Sequence, residues 1–235
     1  MNLTSTTQIK KLLSDHGLHP KKRLGQNFLI DRNVLNRLVE ASGAGAGVNV
    51  LEIGPGLGVV TLELASGGAN VVCVDTDKDM QPILQEVLAD YPNAEVVIED
   101  FLKVDLPEFL GSRGDGKWAV VGNLPYYITT PIITKLLESK HLISSILMMV
   151  QREVAQRLQA APGSDNYASL SVFIQYHCDI KSVIKVSKNV FYPAPEVDSE
   201  IVKLTVLDKP RVEVRNEELF FSIVKASFGK RRKTL

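Results

Sequence analysis

The sequence predicts an α/β fold with an open, doubly wound and mostly parallel sheet. Two observations carry this prediction. Short runs rich in β-branched residues alternate with helix-length segments up to residue 159, which indicates right-handed βαβ crossovers and a parallel sheet. In the last third of the chain, two strands are joined by a proline-bearing loop without an intervening helix. This arrangement predicts an antiparallel hairpin at one edge of a seven-stranded sheet.

The elements follow one another in regular order. Five strands are predicted at residues 48–53, 70–74, 95–98, 117–121 and 145–150. Four helices are predicted at residues 59–65, 77–88, 131–137 and 152–159, with Pro131 tolerated in a first turn. The hairpin strands are residues 181–186 and 200–207, and their connection contains Phe191-Tyr192-Pro193-Ala194-Pro195. Internal repeats and low-complexity stretches are absent from the sequence.

Composition and charge set the broad class of protein. The chain has 235 residues, of which 45% are hydrophobic and 23% charged, as in ordinary globular proteins. Lys plus Arg and Asp plus Glu number 27 each, so no overall positive field indicates a nucleic-acid partner. A nucleic-acid substrate therefore requires a local cluster of basic residues.

The two cysteines, Cys73 and Cys178, are far apart and form no CxxC or Cys/His spacing. They predict a reduced compartment and small buried thiols, with neither disulfides nor structural zinc. No apolar stretch is long enough to span a bilayer, and the first residues lack the apolar core of a secretory signal. We therefore expect a cytoplasmic enzyme without a bound metal.

A glycine-rich turn, Glu52-Ile53-Gly54-Pro55-Gly56-Leu57-Gly58, joins the first strand to its helix. Ligands of open α/β sheets bind at this edge, and glycines let a ligand approach the backbone closely. The G-x-G-x-G spacing differs from the G-x-G-x-x-G of dinucleotide sites, and no Lys-Ser/Thr pair follows as in a P-loop. The turn therefore favours a nucleoside without a pyrophosphate, and S-adenosylmethionine is the candidate cofactor.

Two acidic residues at strand ends fit the same ligand. Asp75 ends the second strand, where its carboxylate can accept hydrogen bonds from both ribose hydroxyls. Asp100 ends the third strand, where it can accept from an adenine amine while Phe101 flanks the ring. Each acid is also a candidate helix cap, although Asp77 is the better N-cap beside Asp75.

The fourth strand is followed by Asn123-Leu124-Pro125-Tyr126, which predicts a site for a flat base. Asn123 Oδ1 and the Leu124 carbonyl can each accept an N–H of an exocyclic amine, Pro125 stiffens the turn, and Tyr126 can stack on the base. The base must be flipped out of its surroundings. Phe191 is either the aromatic on the opposite face of the base or a loop aromatic packed on the core.

Two basic runs are candidates for phosphate contact: Lys21-Lys22-Arg23 and Lys230-Arg231-Arg232-Lys233. The alternative is solvated charge near the two termini. Phosphate contact is favoured if the fold brings both runs to one face.

Together, these motifs resemble the KsgA-type family of small-subunit (16S) ribosomal RNA adenine dimethyltransferases. The resemblance covers the chain from Lys21 to Leu235. It includes the glycine loop, the Asn-Leu-Pro-Tyr turn and three further segments: Lys22-Arg23-Leu24-Gly25-Gln26-Asn27-Phe28-Leu29, Phe191-Tyr192-Pro193-Ala194-Pro195-Glu196-Val197-Asp198-Ser199 and Arg231-Arg232-Lys233-Thr234-Leu235.

The resemblance implies a Rossmann-like class I methyltransferase fold and dimethylation of two adjacent adenosines in a hairpin near the rRNA 3′ end. It further implies a small-subunit pre-ribosomal particle as partner and a monomeric enzyme. The implied S-adenosylmethionine residues are Asn27, Leu29, Gly54, Asp75, Asp100 and Asn123, and Gln26, Gly56 and Phe101 complete the predicted set.

The chain departs from the family pattern at two points. The acid of the second strand is usually Glu in the family, whereas Asp75 is one methylene shorter, so the ribose contact is expected to be longer or water-bridged. Family members also carry a small helical domain after the final basic motif. We therefore expect an N-terminal extension at residues 1–20, a catalytic domain at 21–208, and a truncated start of the C-terminal region at 209–235.

Three alternatives remain at the level of sequence. A large-subunit rRNA adenine methyltransferase of the antibiotic-resistance type shares the fold and the chemistry. Such enzymes usually have Asn-Ile-Pro-Tyr and a Ser-Gln-Asn-Phe start, so Leu124 and Gly25 favour the small-subunit enzyme. DNA adenine methyltransferases typically place Asp or Asn before Pro-Pro-Tyr. A non-catalytic RNA-binding assembly factor on the same fold is disfavoured by the intact Asn123, Tyr126 and glycine loop.

Overall fold

The computed structural model describes residues 2–124 and 128–229. Its strands, β1 to β9, are Phe28–Leu29, Asn49–Ile53, Asn70–Asp75, Ala94–Ile98, Trp118–Asn123, Ile143–Gln151, Cys178–Val186, Phe191–Tyr192 and Ser199–Val206. Its α-helices, α1 to α9, are Thr6–Asp15, Arg32–Ser42, Val59–Ser66, Gln81–Val87, Leu106–Gly111, Thr129–Glu138, Arg152–Gln159, Ser169–His177 and Glu217–Phe228.

Seven strands form one twisted sheet in the order β4-β3-β2-β5-β6-β9-β7. The first five run parallel, whereas β9 pairs antiparallel with both β6 and β7. This confirms the predicted doubly wound sheet with an antiparallel edge hairpin. Strand order reverses at β2, between β3 and β5, which is where ligands of such sheets bind.

The sheet is buried on both faces because helices cover each of them. Alternate residues of each strand point to opposite faces. Leu51, Val120 and Ile146 pack on one face beneath α5, α6, α7 and α8. Val50 and Val121 pack on the other face beneath α2 and α3. Packing of these two layers of helices holds the sheet in place, and with it the loops and side chains that follow the strands.

Predicted and observed elements differ mainly at their ends. The helix predicted at 77–88 begins as a 3₁₀ turn at Lys78–Met80, capped by Asp77, before α4 starts at Gln81. Pro82 lacks an N–H and occupies the first turn of α4, where no hydrogen bond is lost. The helix at 152–159 has the predicted bounds, and Asp77 is the cap that the sequence favoured.

Five helices and the small β1–β8 sheet were not predicted. Helix α2 is capped by Asp31, which accepts from the N–H groups of Asn33 and Val34, so its start signal was present in the sequence. Helix α1 buries Ile9, Leu12 and Leu13 in a third cluster, against the apolar face of α4. Residues 2–15 thus share a core with the sheet domain.

Both cysteines are free and buried, as predicted for small core residues. Among the residues that the structure describes, no helix has the length and apolar character that crossing a membrane requires. The same part of the chain contains no cluster of three or more His, Cys, Asp or Glu side chains suited to a metal ion.

Candidate active site

A cavity of about 320 Å³ opens at the carboxyl ends of β2, β3 and β5, next to the point where the strand order reverses. Its size lies at the lower end of the range for small-molecule sites. All nine predicted cofactor residues line it: Gln26, Asn27, Leu29, Gly54, Gly56, Asp75, Asp100, Phe101 and Asn123. The fold therefore brings together five separate sequence segments around one space.

The glycine turn forms the floor of this cavity and needs its glycines. Gly54 and Gly56 have φ values of 72° and 57°, in the left-handed region that other residues rarely adopt. A Cβ at Gly56 would also lie 3.2 Å from the Phe28 ring. The turn thus presents bare backbone to the cavity, which suits close approach of a nucleoside.

Asp75 is held rigidly at the end of β3. Its Oδ1 accepts from the Asp77 N–H at 2.8 Å, and its Oδ2 accepts from the Gly56 N–H at 3.4 Å. Burial raises the pKa of Asp75, and these backbone donors oppose the shift. The carboxylate is fixed in place and has acceptor capacity left for the hydroxyl groups of a ribose.

Glu52 is a site residue absent from the predicted cofactor set, although it belongs to the glycine motif. It lines the cavity from β2, only 3% of its surface is exposed, and its Oε2 accepts from Thr61 Oγ1 at 2.6 Å. The pKa of Glu52 is raised to about 7. Burial is the main cause and the nearby Asp75 charge adds to it, while the Thr61 hydrogen bond opposes the shift. A buried acid inside an apolar strand was the signal in the sequence.

This environment predicts a pH-dependent gain in stability for Glu52→Gln. Because the folded pKa is raised from 4.5 to about 7, the wild-type stability contributed by this group is complete below pH 4.5 and is lost as pH rises through 7. In urea denaturation, we expect the variant to match the wild type near pH 4.5 and to exceed it by about 3 kcal/mol at pH 8. A constant difference across this window would contradict the assignment.

Asp100 and Phe101 form the wall of the cavity beyond β4. Asp100 caps a 3₁₀ turn at Phe101–Lys103, where its Oδ1 accepts from the Leu102 N–H at 3.1 Å. Phe101 is 5% exposed and lines the cavity, so its ring can flank a base. Asp100 can therefore cap the turn and bind a ligand at the same time, because the cap uses only one carboxylate oxygen.

Asn123 ends β5 and faces the same cavity. Its Nδ2 donates to the Asn27 carbonyl at 3.1 Å. Since a carbonyl can only accept, this bond fixes the amide so that Oδ1 remains available as an acceptor. Leu124 is buried in the core, and its backbone carbonyl stays a predicted acceptor. Pro125 and Tyr126 lie outside the described residues.

Phe191 lies in the hydrophobic core and not at the cavity. It is 4% exposed, packs in the hydrophobic cluster with Leu29 and Val34, and does not line the cavity. Its backbone pairs with Leu29 in the small β1–β8 sheet, which turns the ring into the core. Of the two roles predicted for Phe191, core packing is the one that the structure shows.

Lys21, one of the predicted phosphate contacts, faces two carboxylates of the protein itself. Its Nζ donates to Asp77 Oδ1 at 2.6 Å and to Asp79 Oδ2 at 2.5 Å, so this ammonium is paired within the protein. The adjacent Lys22 and Arg23 are exposed and remain predicted phosphate contacts. The second basic run, Lys230, Arg231, Arg232 and Lys233, lies outside the described residues.

The N-terminal segment supplies two unpredicted residues to the cavity. Leu3 and Ile9 line it and are 3% and 1% exposed. The apolar spacing of Ile9, Leu12 and Leu13 on α1 was the available signal. Packing of this helix against α4 brings it to the site, although the segment is far from the glycine motif in sequence.

Comparison with known proteins gives consistent matches. The family model described as ribosomal RNA adenine dimethylase matches residues 17–235. A ribosomal RNA small subunit methyltransferase A from Alkaliphilus oremlandii is 44% identical over 234 residues, covering 99% of this chain and 82% of the relative.

Two solved structures are similar in fold and sequence. A dimethyladenosine transferase from Plasmodium falciparum has a TM-score of 0.75 and 30% identity, covering 88% of this chain and 72% of that one. The 23S rRNA methyltransferase ErmE has a TM-score of 0.73 and 32% identity, covering 86% of this chain and 79% of that one.

Proposed function

Because the chain belongs to the ribosomal RNA adenine dimethylase family, we propose that it dimethylates two adjacent adenosines in a hairpin near the 3′ end of small-subunit rRNA. The enzyme is S-adenosylmethionine-dependent, as its family is. The observation that carries the proposal is that Asn123, the predicted acceptor residue, lines the same cavity as Asp75 and Asp100.

The described residues suit the methyl donor. Asp75 offers a fixed carboxylate for the ribose, Phe101 an apolar wall for the base, and Gly56 an open backbone surface. The carboxylate of Asp75 also complements the positive charge of a sulfonium ligand. S-adenosylmethionine supplies an electrophilic methyl group at this position.

The contribution of the protein to the reaction is positioning and polarisation. Asn123 Oδ1 accepts one N–H of the target amine and the Leu124 carbonyl accepts the other, which draws the amine nitrogen towards a pyramidal, nucleophilic geometry. Alignment of that nitrogen with the methyl group supplies much of the acceleration. Nitrogen loses its proton after attack, so a strong general base is not required.

We place the enzyme in the cytoplasm, acting as a monomer on a small-subunit particle during ribosome assembly. The second candidate is methylation of large-subunit rRNA, which the likeness to a 23S rRNA methyltransferase favours. Identity of 44% with a small-subunit methyltransferase, against 32% with that enzyme, favours the first candidate.

The experiment that tests the proposal is transfer of radiolabelled methyl groups to undermethylated small subunits, with large subunits and DNA as parallel substrates. We expect label on two adjacent adenines of small-subunit rRNA, identified by mapping the modified bases. Label on large-subunit rRNA instead would support the second candidate.

Lys22 and Arg23 should contribute electrostatic affinity for the RNA. For Lys22→Ala/Arg23→Ala, we expect weaker RNA binding and a salt slope reduced by about 1.5, since each phosphate contact contributes somewhat less than 1 to the slope. The control is Lys117→Ala/Lys209→Ala. Both lysines are exposed and lie beyond the amino ends of the parallel strands, on the side opposite the cavity. Equal salt slopes for the two double variants would argue against phosphate contact at Lys22 and Arg23.

A further inference from the structure

Behind the donor cavity lies a compact cluster of four side chains, Lys21, Gln26, Asp77 and Asp79, which we call the Asp77 cluster. Asp77 Oδ1 accepts from Lys21 Nζ at 2.6 Å, and its Oδ2 accepts from Gln26 Nε2 at 2.7 Å. Gln26 Oε1 in turn accepts from the Lys21 backbone N–H at 2.9 Å. Both ends of the segment 21–26 are thereby tied to one carboxylate that lies more than 50 residues away in sequence.

The cluster is held by charge in a largely buried setting. Asp77 is 5% exposed. Its burial raises the pKa of its carboxyl group, but the hydrogen bonds from Lys21 and Gln26 outweigh this, and the net shift is downward. The hydrogen bonds that Lys21 donates to Asp77 and Asp79 raise the pKa of Lys21. Both partners therefore stay ionised at neutral pH, and removal of one leaves the other poorly compensated.

The Asp77 cluster touches the functional residues on two sides. The Asp77 backbone N–H donates to Asp75 Oδ1 at 2.8 Å. Gln26 precedes Asn27, and the Asn27 carbonyl accepts from Asn123 Nδ2 at 3.1 Å. Bonded contacts thus run from the ribose acid to the acceptor amide. Lys21, Asp77 and Asp79 are not among the lining residues of the cavity, so they act behind it.

We propose that Asp77 is a positioning residue that holds the Gln26–Asn27 wall against Asp75 and so sets the affinity for the methyl donor. This inference rests on the proposed function of the cavity. Asp77 makes no contact with the donor, and its effect passes through the backbone of residues 26–27. Asp79 contributes to the ion pair with Lys21, whereas the hydrogen bond from Gln26 goes to Asp77.

The test compares Asp77→Asn with Asp79→Asn as matched control. An amide oxygen cannot serve both Lys21 and Gln26 as the carboxylate does. We expect titration calorimetry with S-adenosylmethionine to show about 10-fold weaker binding for Asp77→Asn and less than about 2-fold for Asp79→Asn. With small subunits as substrate, the donor KM should rise in parallel while kcat at saturating donor falls less than about 3-fold.

A second variant secures the test if Asp77→Asn does not fold. Lys21→Met removes the partner from the more exposed side of the cluster, and its effect should be non-additive with that of Asp77→Asn. Lys21→Arg, which keeps the charge, should retain most of the donor affinity. Donor binding equal to wild type in both Asp77→Asn and Lys21→Met would overturn the inference, as would a joint fall of Tm and kcat at constant donor KM. Absence of donor binding by the wild type would instead refute the proposed function.

Discussion

Replacement of Asn123 by alanine is expected to lower kcat for methyl transfer by about 10²–10³-fold, the loss typical for one preorganised polar group that polarises a reacting atom. The bond from Asn123 Nδ2 to the Asn27 carbonyl commits the amide to one orientation, which leaves Oδ1 for the target amine. Donor affinity should change much less, because Asp75, Asp100 and the glycine turn remain in place.

The measurement pairs single-turnover methyl transfer to small subunits with donor titration of the same variant. Asn33→Ala is the control, since Asn33 is exposed on α2 and is not among the residues that line the cavity. Turnover of the Asn123 variant at the wild-type rate would refute the proposed role. A loss of donor binding as large as the loss of rate would assign Asn123 to the donor alone.

Replacement of Asp75 by asparagine is expected to weaken S-adenosylmethionine binding by about 10²-fold, because hydrogen bonds to a charged group are among the strong ones. The carboxylate already accepts from the N–H groups of Gly56 and Asp77. An amide has one oxygen, so it cannot serve both backbone donors and the ribose hydroxyls. Titration calorimetry checks this, with the exposed Asp90→Asn as control.

The companion variant Asp75→Glu places the residue that is usual in the family at this position. If the shorter Asp75 side chain leaves a long or water-bridged ribose contact, the glutamate should bind the donor as tightly as the wild type or more tightly. Weaker binding by Asp75→Glu would show that this chain has adapted its cavity to the shorter acid.

Much of the fold was predictable because strand and helix patterns are local. Apolar runs at residues 48–53 and 145–150 contain enough β-branched residues to identify buried strands without tertiary information. Helix α8 was missed because its sequence SLSVFIQYH lacks a polar face, so its period cannot be read. The β1–β8 sheet was missed because two residues per strand give no pattern at all.

The candidate site, like the fold, was predictable only in part. All nine predicted cofactor residues line one cavity. Six of them end or follow strands of the parallel sheet, and the carboxyl ends of such strands meet on one side of the sheet. Gln26, Asn27 and Leu29 come from a segment outside that sheet and are brought to the cavity by packing. The ion pairs of Lys21 were not predicted, because a basic run looks the same whether its charges face solvent or a buried carboxylate. Its pairing with Asp77 joins positions 56 residues apart, a distance that no local pattern reports.

The sequence by itself determined the parallel sheet and the position of the glycine turn and of Asp75 at its strand ends, because strand and turn patterns act through backbone geometry that neighbours in the chain define. Only the tertiary structure decided which side chains pack in the core or bind other side chains of the protein. It placed Phe191 in the core, Lys21 on Asp77, and Leu3 and Ile9 at the cavity. These assignments depend on burial and on contacts between distant segments, which arise only when the chain packs.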